Sequence, residues 1–194
     1  MKEMNKLNGK DLINIGIYTA IYFVVIMVIA FTGLIPIMLI LMSSMVGLIG
    51  GIPFMLFLTK VEKPGMILIM SLLMGILAFL TGMTWVPVLF SLVTGLISEI
   101  VYKSGNYKSA KAAVLTAGVF PLWCCGNYLP LFVNREEYFA SRQSYGEEYV
   151  SVVMSLTPNW MFFVLLVLTV IFGILGGVLG SKLLKKHFEK AGIV

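Results

Sequence analysis

Histidine occurs once, at His187, and cysteine twice, at Cys124 and Cys125. So few ligands and bases exclude a Ser-His-Asp set and any histidine-based metal cluster. Cys124 and Cys125 are adjacent, and neighbouring residues close a strained ring, so no disulfide framework is expected. They read as small apolar packing residues. Charge is the second scarcity. Only 12% of the 194 residues are charged and 59% are hydrophobic, against about 25% and 45–50% in ordinary soluble domains. This excludes a disordered tail, a nucleic-acid module and a conventional cytosolic enzyme.

Acidic residues are almost missing from the apolar stretches. Glu99 alone falls inside one, with Lys103 four residues later, a spacing that predicts an ordinary helical ion pair. A proton-coupled carrier would show an acidic relay at the membrane midplane. A nucleotide site is missing too. Gly-Gly-Val-Leu-Gly-Ser-Lys, residues 176–182, places Ser181 where a phosphate loop needs Gly directly before Lys. No catalytic residue, metal site or cofactor is expected.

What is present is apolar length. A membrane helix needs about 20 mostly apolar residues. Six stretches qualify, at 12–31, 36–59, 65–81, 85–102, 110–133 and 158–184. They predict an all-α integral membrane protein, one compact six-helix bundle over residues 1–194. The first stretch has neither the length nor the flanks of a cleaved signal peptide.

The twelve lysines sort onto one side of this topology. Lys2, Lys6 and Lys10 precede the first span; Lys60 and Lys63 follow the second; Lys103, Lys108 and Lys111 follow the fourth; Lys182, Lys185, Lys186 and Lys190 end the chain. The positive-inside rule then puts both termini in the cytoplasm. That side carries a net +7 and the long 134–157 loop a net −2, which together give the +5 of the chain. The basic face suits anionic lipid headgroups rather than nucleic acid.

Four features go beyond topology. Gly16 and Ala20 lie four apart on the first span, a spacing for close helix approach; spacing alone allows internal packing or a partner helix. Ser43, Ser44, Gly47, Gly50, Gly51 and Pro53 predict local bending or unwinding in the second span. Gly173/Gly177 and Gly176/Gly180 predict tight packing of the sixth. Pro121 and Pro130 predict a kink in the fifth.

Polar and aromatic groups collect at the outer ends: Trp85, Trp123, Asn127, Tyr128, Arg135, Tyr138, Arg142, Asn159 and Trp160. They fit the walls of a ligand pocket or an interfacial aromatic belt with a solvated loop. Arg135 and Arg142 could meet a ligand anion or the neighbouring glutamates. The 134–157 loop has the length of a lid.

Four segments carry a family resemblance. They are Lys-Asp-Leu-Ile-Asn-Ile-Gly-Ile-Tyr-Thr-Ala-Ile-Tyr at 10–22, Leu-Ile-Gly-Gly-Ile-Pro at 48–53, Tyr-Gly-Glu-Glu-Tyr at 145–149 and the tail from 180 to 194. The chain resembles the Trep_Strep, or MptD-like, family of bacterial membrane proteins, regarded as substrate-binding S components of energy-coupling factor importers. The resemblance implies a small six-helix protein of the bacterial plasma membrane. It would capture a vitamin or other micronutrient from outside and dock to a transmembrane coupling subunit driven by two ATPases. It also implies docking through small residues on the first helix, matched here by Gly16 and Ala20. The ligand would be a vitamin, a nucleobase-like precursor or, with thirteen methionines, a tetrapyrrole such as heme. The short apolar turn near Thr32 and Gly33 offers few polar contacts, so spans four to six and the lid are expected to recognise the ligand. The rival readings are a stand-alone secondary carrier and a membrane assembly factor without a ligand.

Overall fold

The computed structural model describes residues 6–140 and 145–193, and among them every regular element is helical. Helix α1 (Gly9–Ala30) runs into a 3₁₀ turn, Phe31–Leu34. Then come α2 (Pro36–Leu58), α3 (Met66–Leu80), α4 (Val86–Ser104) and α5 (Ala110–Val119). A 3₁₀ stretch, Phe120–Asn127, leads to α6 (Leu129–Val133) and α7 (Arg135–Ala140). After them come α8 (Glu147–Leu156), α9 (Met161–Leu183) and α10 (Lys185–Ala191).

Four segments are long and apolar enough to cross a membrane: Gly9–Leu34, α2, α4 and α9. The expected third span is the 15-residue apolar helix α3. The expected fifth, 110–133, is not one helix. Pro121 lacks the N–H that an α-helix would bond to residue 117, and its ring crowds that turn. The α-helix therefore stops at Val119 and the backbone tightens into the 3₁₀ stretch.

Helix α2 corrects the unwinding half of another expectation. It continues through Pro53 without unwinding. Its glycines serve approach instead. A Cβ on Gly51 would stand 2.7 Å from the carbonyl carbon of Gly176, and one on Gly176 would stand 2.3 Å from the Gly47 oxygen. The two backbones touch, as the small-residue spacing of α9 predicted. Gly118 and Gly173 repeat the arrangement between α5 and α9, and Gly75 and Gly95 between α3 and α4.

The described lysines gather at one end. Asn8 and Asp11 form a reciprocal capping box on α1, with bonds of 2.8 and 3.0 Å. Lys63, from the α2–α3 turn, reaches Asp11 at 2.6 Å. The Tyr102 hydroxyl at the end of α4 donates to the Leu58 carbonyl at 3.1 Å. Phe188 of α10 and Ile193 pack into the same apolar core. The α1–α2 connection, the α3–α4 turn and α6–α8 lie at the opposite end.

Glu99 departs from its expected pairing with Lys103. Its Oε2 accepts the Ile67 and Leu68 N–H groups at 3.1 and 3.3 Å, capping the first turn of α3. Its Oε1 accepts the Tyr107 hydroxyl at 2.9 Å. Lys103 stays exposed.

Candidate functional site

At the end far from the lysines the bundle holds a partly open cavity of about 140 Å³. Helix α1 supplies Phe23, Ile26 and Met27, and α2 supplies Leu39, Met42 and Val46. Ala78, Thr81 and Met83 border it from the end of α3 and the turn beyond. The 3₁₀ stretch and the residue after it contribute Trp123, Cys124, Asn127 and Tyr128; Tyr138 and Tyr145 come from the long loop. Side chains three apart align in a 3₁₀ helix, so Cys124 and Asn127 share one face.

Of spans four to six and the lid, where ligand recognition was expected, the fifth span lines the cavity through Trp123, Cys124, Asn127 and Tyr128, and the lid through Tyr138 and Tyr145. Among the described residues neither α4 nor α9 lines the cavity. Their small-residue seams lie directly against α3, α2 and α5 and leave no space. The space opens instead among α1, α2, α3 and the tightened 3₁₀ backbone, and Gly33 of the short apolar turn belongs to its wall.

The cavity's polar groups fall into two sets. The Tyr128 hydroxyl donates to the Leu39 carbonyl at 2.6 Å, and Thr81 Oγ1 donates to the Ala78 carbonyl at 2.8 Å. Trp123 Nε1 and Asn127 Oδ1 are buried without a hydrogen-bond partner. Tyr22 is the polar neighbour of the Trp123 indole, yet no bond geometry is completed between them. Buried polar atoms are usually paired; the neighbour of Asn127 is the Cys124 thiol on the same face, and neither unpaired atom is open to the cavity itself.

The long loop roofs the cavity. Leu39, Tyr128, Leu131, Tyr138 and Val153 form a second small apolar core there. Helix α8 is amphipathic: Val153 is buried while Glu147, Glu148, Ser151 and Ser155 face outward. The Tyr149 hydroxyl donates to the Gly33 carbonyl, and the Tyr149 ring stacks on Tyr145 with centroids 4.5 Å apart. Arg135 Nη2 donates to the Thr157 carbonyl and, at 3.1 Å, to Asn159 Oδ1. The loop is thereby tied at its entrance, exit and middle.

Of the nine expected pocket residues, Trp123, Asn127, Tyr128 and Tyr138 meet at the cavity. Arg135 and Asn159 do not line it; they bond to each other and fasten the loop. Trp85 and Trp160 are displaced further. They are 62% and 61% exposed and stand at the starts of α4 and α9, positions that suit interfacial anchors. Trp85 borders a separate pocket of about 350 Å³ with Tyr138. Arg142 lies outside the described residues. Sequence reasoning passed over Met27, Met42, Met83 and Cys124, whose only signal was their closeness to the outer turns.

Gly16 and Ala20 sit far from the cavity on an exposed stripe of α1. A Cβ on Gly16 would meet nothing within 4 Å. Unlike the glycines of α2 and α9, Gly16 meets no partner among the described residues, and Ala20 is exposed beside it.

Neither a curated protein nor a solved structure matches the chain. The family model of a hypothetical bacterial integral membrane protein, Trep_Strep, matches residues 9–190, and the chain belongs to that family.

Proposed function

We propose that the chain is the substrate-capture subunit of an energy-coupling-factor importer. It takes a micronutrient from outside and delivers it by docking to a transmembrane coupling subunit powered by two separate ATPases. The observation that carries this reading is the apolar cavity roofed by the long loop at the end far from the lysines. A pocket under a lid at one end of a membrane bundle is built to hold a solute, which an assembly factor does not need.

The bare stripe of α1 supports the second half of the reading. Small residues let a foreign helix approach closely, and among the described residues no helix packs on Gly16. The proposed topology is six crossings of the bacterial plasma membrane with both ends inside. The lysine-rich end then faces the cytoplasm and the cavity faces out.

The test is a pull-down of the tagged chain from its own membranes, probed for a coupling subunit and ATPases, alongside an uptake assay. Both partners should copurify. Gly16→Leu with Ala20→Leu should abolish their capture and uptake while leaving solute binding intact. Uptake into liposomes by the chain alone, without ATP, would establish a stand-alone carrier and sink the proposal.

A further inference from the structure

We propose that the seam between α5 and α9 holds one anionic phospholipid. Its phosphate meets Lys111 and Lys182, and one of its acyl chains lies in the furrow between the two helices. This goes beyond the capture reading and shares only its topology. Four observations carry it.

The first is shape. Gly173 and Gly177 bring α9 against Val114, Ala117 and Gly118 of α5, and two open troughs follow one another along this seam. The inner trough, of about 460 Å³, is walled by Val114 and Leu115 of α5 and Val178 of α9, and Lys111 borders it. The outer, of about 300 Å³, lies between Leu122 and the Val167 and Ile171 side chains of α9. Val167, Ile171 and Val178 are spaced by four and seven residues and so share one face of α9. Gly118, with Ile174 laid over it, lies between the two troughs.

The second is the surroundings. Leu115, Val167 and Ile171 are exposed apolar side chains, so in a bilayer the furrow opens on hydrocarbon. It is filled there by an acyl chain or by another helix. The third observation, length, decides between them. The chain advances about 18 Å from Lys111 to Leu122, and about 18 Å from Leu166 to Val178, at 1.5 Å per α-helical and 2.0 Å per 3₁₀ residue. A hydrocarbon core of about 30 Å gives each leaflet about 15 Å. The furrow therefore has the depth of one leaflet, which one acyl chain fills. A partner helix would follow a seam through both leaflets.

The fourth observation is charge. Lys111 stands in the first turn of α5, at the inner trough. Lys182 lies in the last turn of α9, four residues beyond Val178 and on the same face. Both are exposed, and among the described residues neither enters an ion pair. Lysine side chains at helix ends extend to the headgroup level. Two ammonium groups at the mouth of a one-chain furrow suit a phosphate of net negative charge. A headgroup that carries its own cation, as choline does, gains less from them. The lysines of this end attract anionic lipid diffusely; the furrow makes one place of it a site.

The experiment uses the full chain in detergent, stripped of lipid. Dioleoyl phosphatidylglycerol and dioleoyl phosphatidylcholine are the probes, and native mass spectrometry reads the lipid retained. One phosphatidylglycerol should bind more tightly than phosphatidylcholine. Lys111→Gln and Lys182→Gln should each weaken phosphatidylglycerol about 5-fold and leave phosphatidylcholine unchanged. Val167→Trp fills the outer trough and should weaken both lipids. Lys10→Gln is the control, because Lys10 lies in the first turn of α1, which packs on α2 and α3; it should change nothing. Equal retention of the two lipids overturns the proposal, as does unchanged phosphatidylglycerol binding in both furrow-lysine variants. A loss in Lys10→Gln as large as in those two would show diffuse attraction alone and overturn it. So would a folded Val167→Trp chain that keeps both lipids. The lysine variants alter exposed side chains and should keep the melting temperature, so they decide the matter even where Val167→Trp does not fold. A lipid-free dimer that Val167→Trp separates would assign the furrow to a second copy and overturn the lipid.

Discussion

Glu99 is the clearest case of a residue whose neighbours in sequence mislead. The spacing to Lys103 invites an ion pair, but a buried carboxyl group has stronger claims on it. The first turn of α3 leaves unbonded N–H groups, as every helix start does, and Gly65 offers no side chain to cap them. Glu99 takes the Ile67 and Leu68 N–H groups across the helix interface. Tyr107 supplies the third bond from a turn in which Asn106 and Tyr107 adopt positive φ angles of 51° and 59°. A tyrosine held there is strained, and the bond to Glu99 together with an edge-on contact to Tyr102 at 5.4 Å holds it in place. Burial, followed by the adjacent Glu99 carboxylate, pushes the Tyr107 hydroxyl above its ordinary range, which keeps it a donor. Glu99→Ala strands three donors and should lower stability by about 2–3 kcal/mol; Tyr107→Phe removes one bond and should lower it by about 1 kcal/mol. Thermal unfolding in detergent reads both. An equal loss in the two variants would show that capping of α3 contributes nothing.

Among the elements, the glycines divide into two kinds that sequence spacing cannot separate. Gly173/Gly177 and Gly176/Gly180 read as packing pairs, and they are. Gly16/Ala20 has the same spacing but an open face. Which role a pair takes depends on what lies opposite, and that is a property of the assembled bundle. Stability distinguishes them. Gly176→Ala puts a Cβ 2.3 Å from the Gly47 oxygen and should cost about 1–3 kcal/mol or prevent folding, as overpacking does. Gly16→Leu meets nothing and should leave the melting temperature within a degree or two. A large loss at Gly16 would mean that the stripe packs inside the chain after all. The helix boundaries themselves were legible. The expected spans 36–59, 65–81 and 85–102 differ by one or two residues from α2, α3 and α4. The break in the fifth span was legible in Pro121, though not its extent, because eight residues of 3₁₀ helix depend on tertiary support. The pocket was half legible. Trp123 and Asn127 face inward while Trp85 and Trp160 face outward, and no periodicity tells an anchoring tryptophan from a lining one.

For the whole molecule, the question is which end faces the cell interior and whether the broken fifth segment crosses. Rise per residue bears on the second. Helix α5 advances about 15 Å and the 3₁₀ stretch about 16 Å, since a 3₁₀ helix rises 2.0 Å per residue against 1.5 Å. Together they match a hydrocarbon core of about 30 Å, so the break lengthens the segment instead of leaving it short. The proposed six crossings would return the chain to the side on which it starts, and α10 shares the apolar core with α1. The proposed orientation rests on the charge distribution through the positive-inside rule. Lysines hold one end, while the opposite end carries Glu136, Glu137, Glu147 and Glu148 beside Arg135. Accessibility to a membrane-impermeant maleimide tests this directly. The native thiols of Cys124 and Cys125 are buried and should stay silent. Glu147 and Glu62 are both exposed, one on the lid and one in the α2–α3 turn. In intact cells Glu147→Cys should label and Glu62→Cys should not; permeabilisation should make both reactive. Labelling of the two from the same side would break the six-crossing topology. The opposite pattern would turn the cavity toward the cytoplasm, and a subunit that captures its solute from outside could not be built that way.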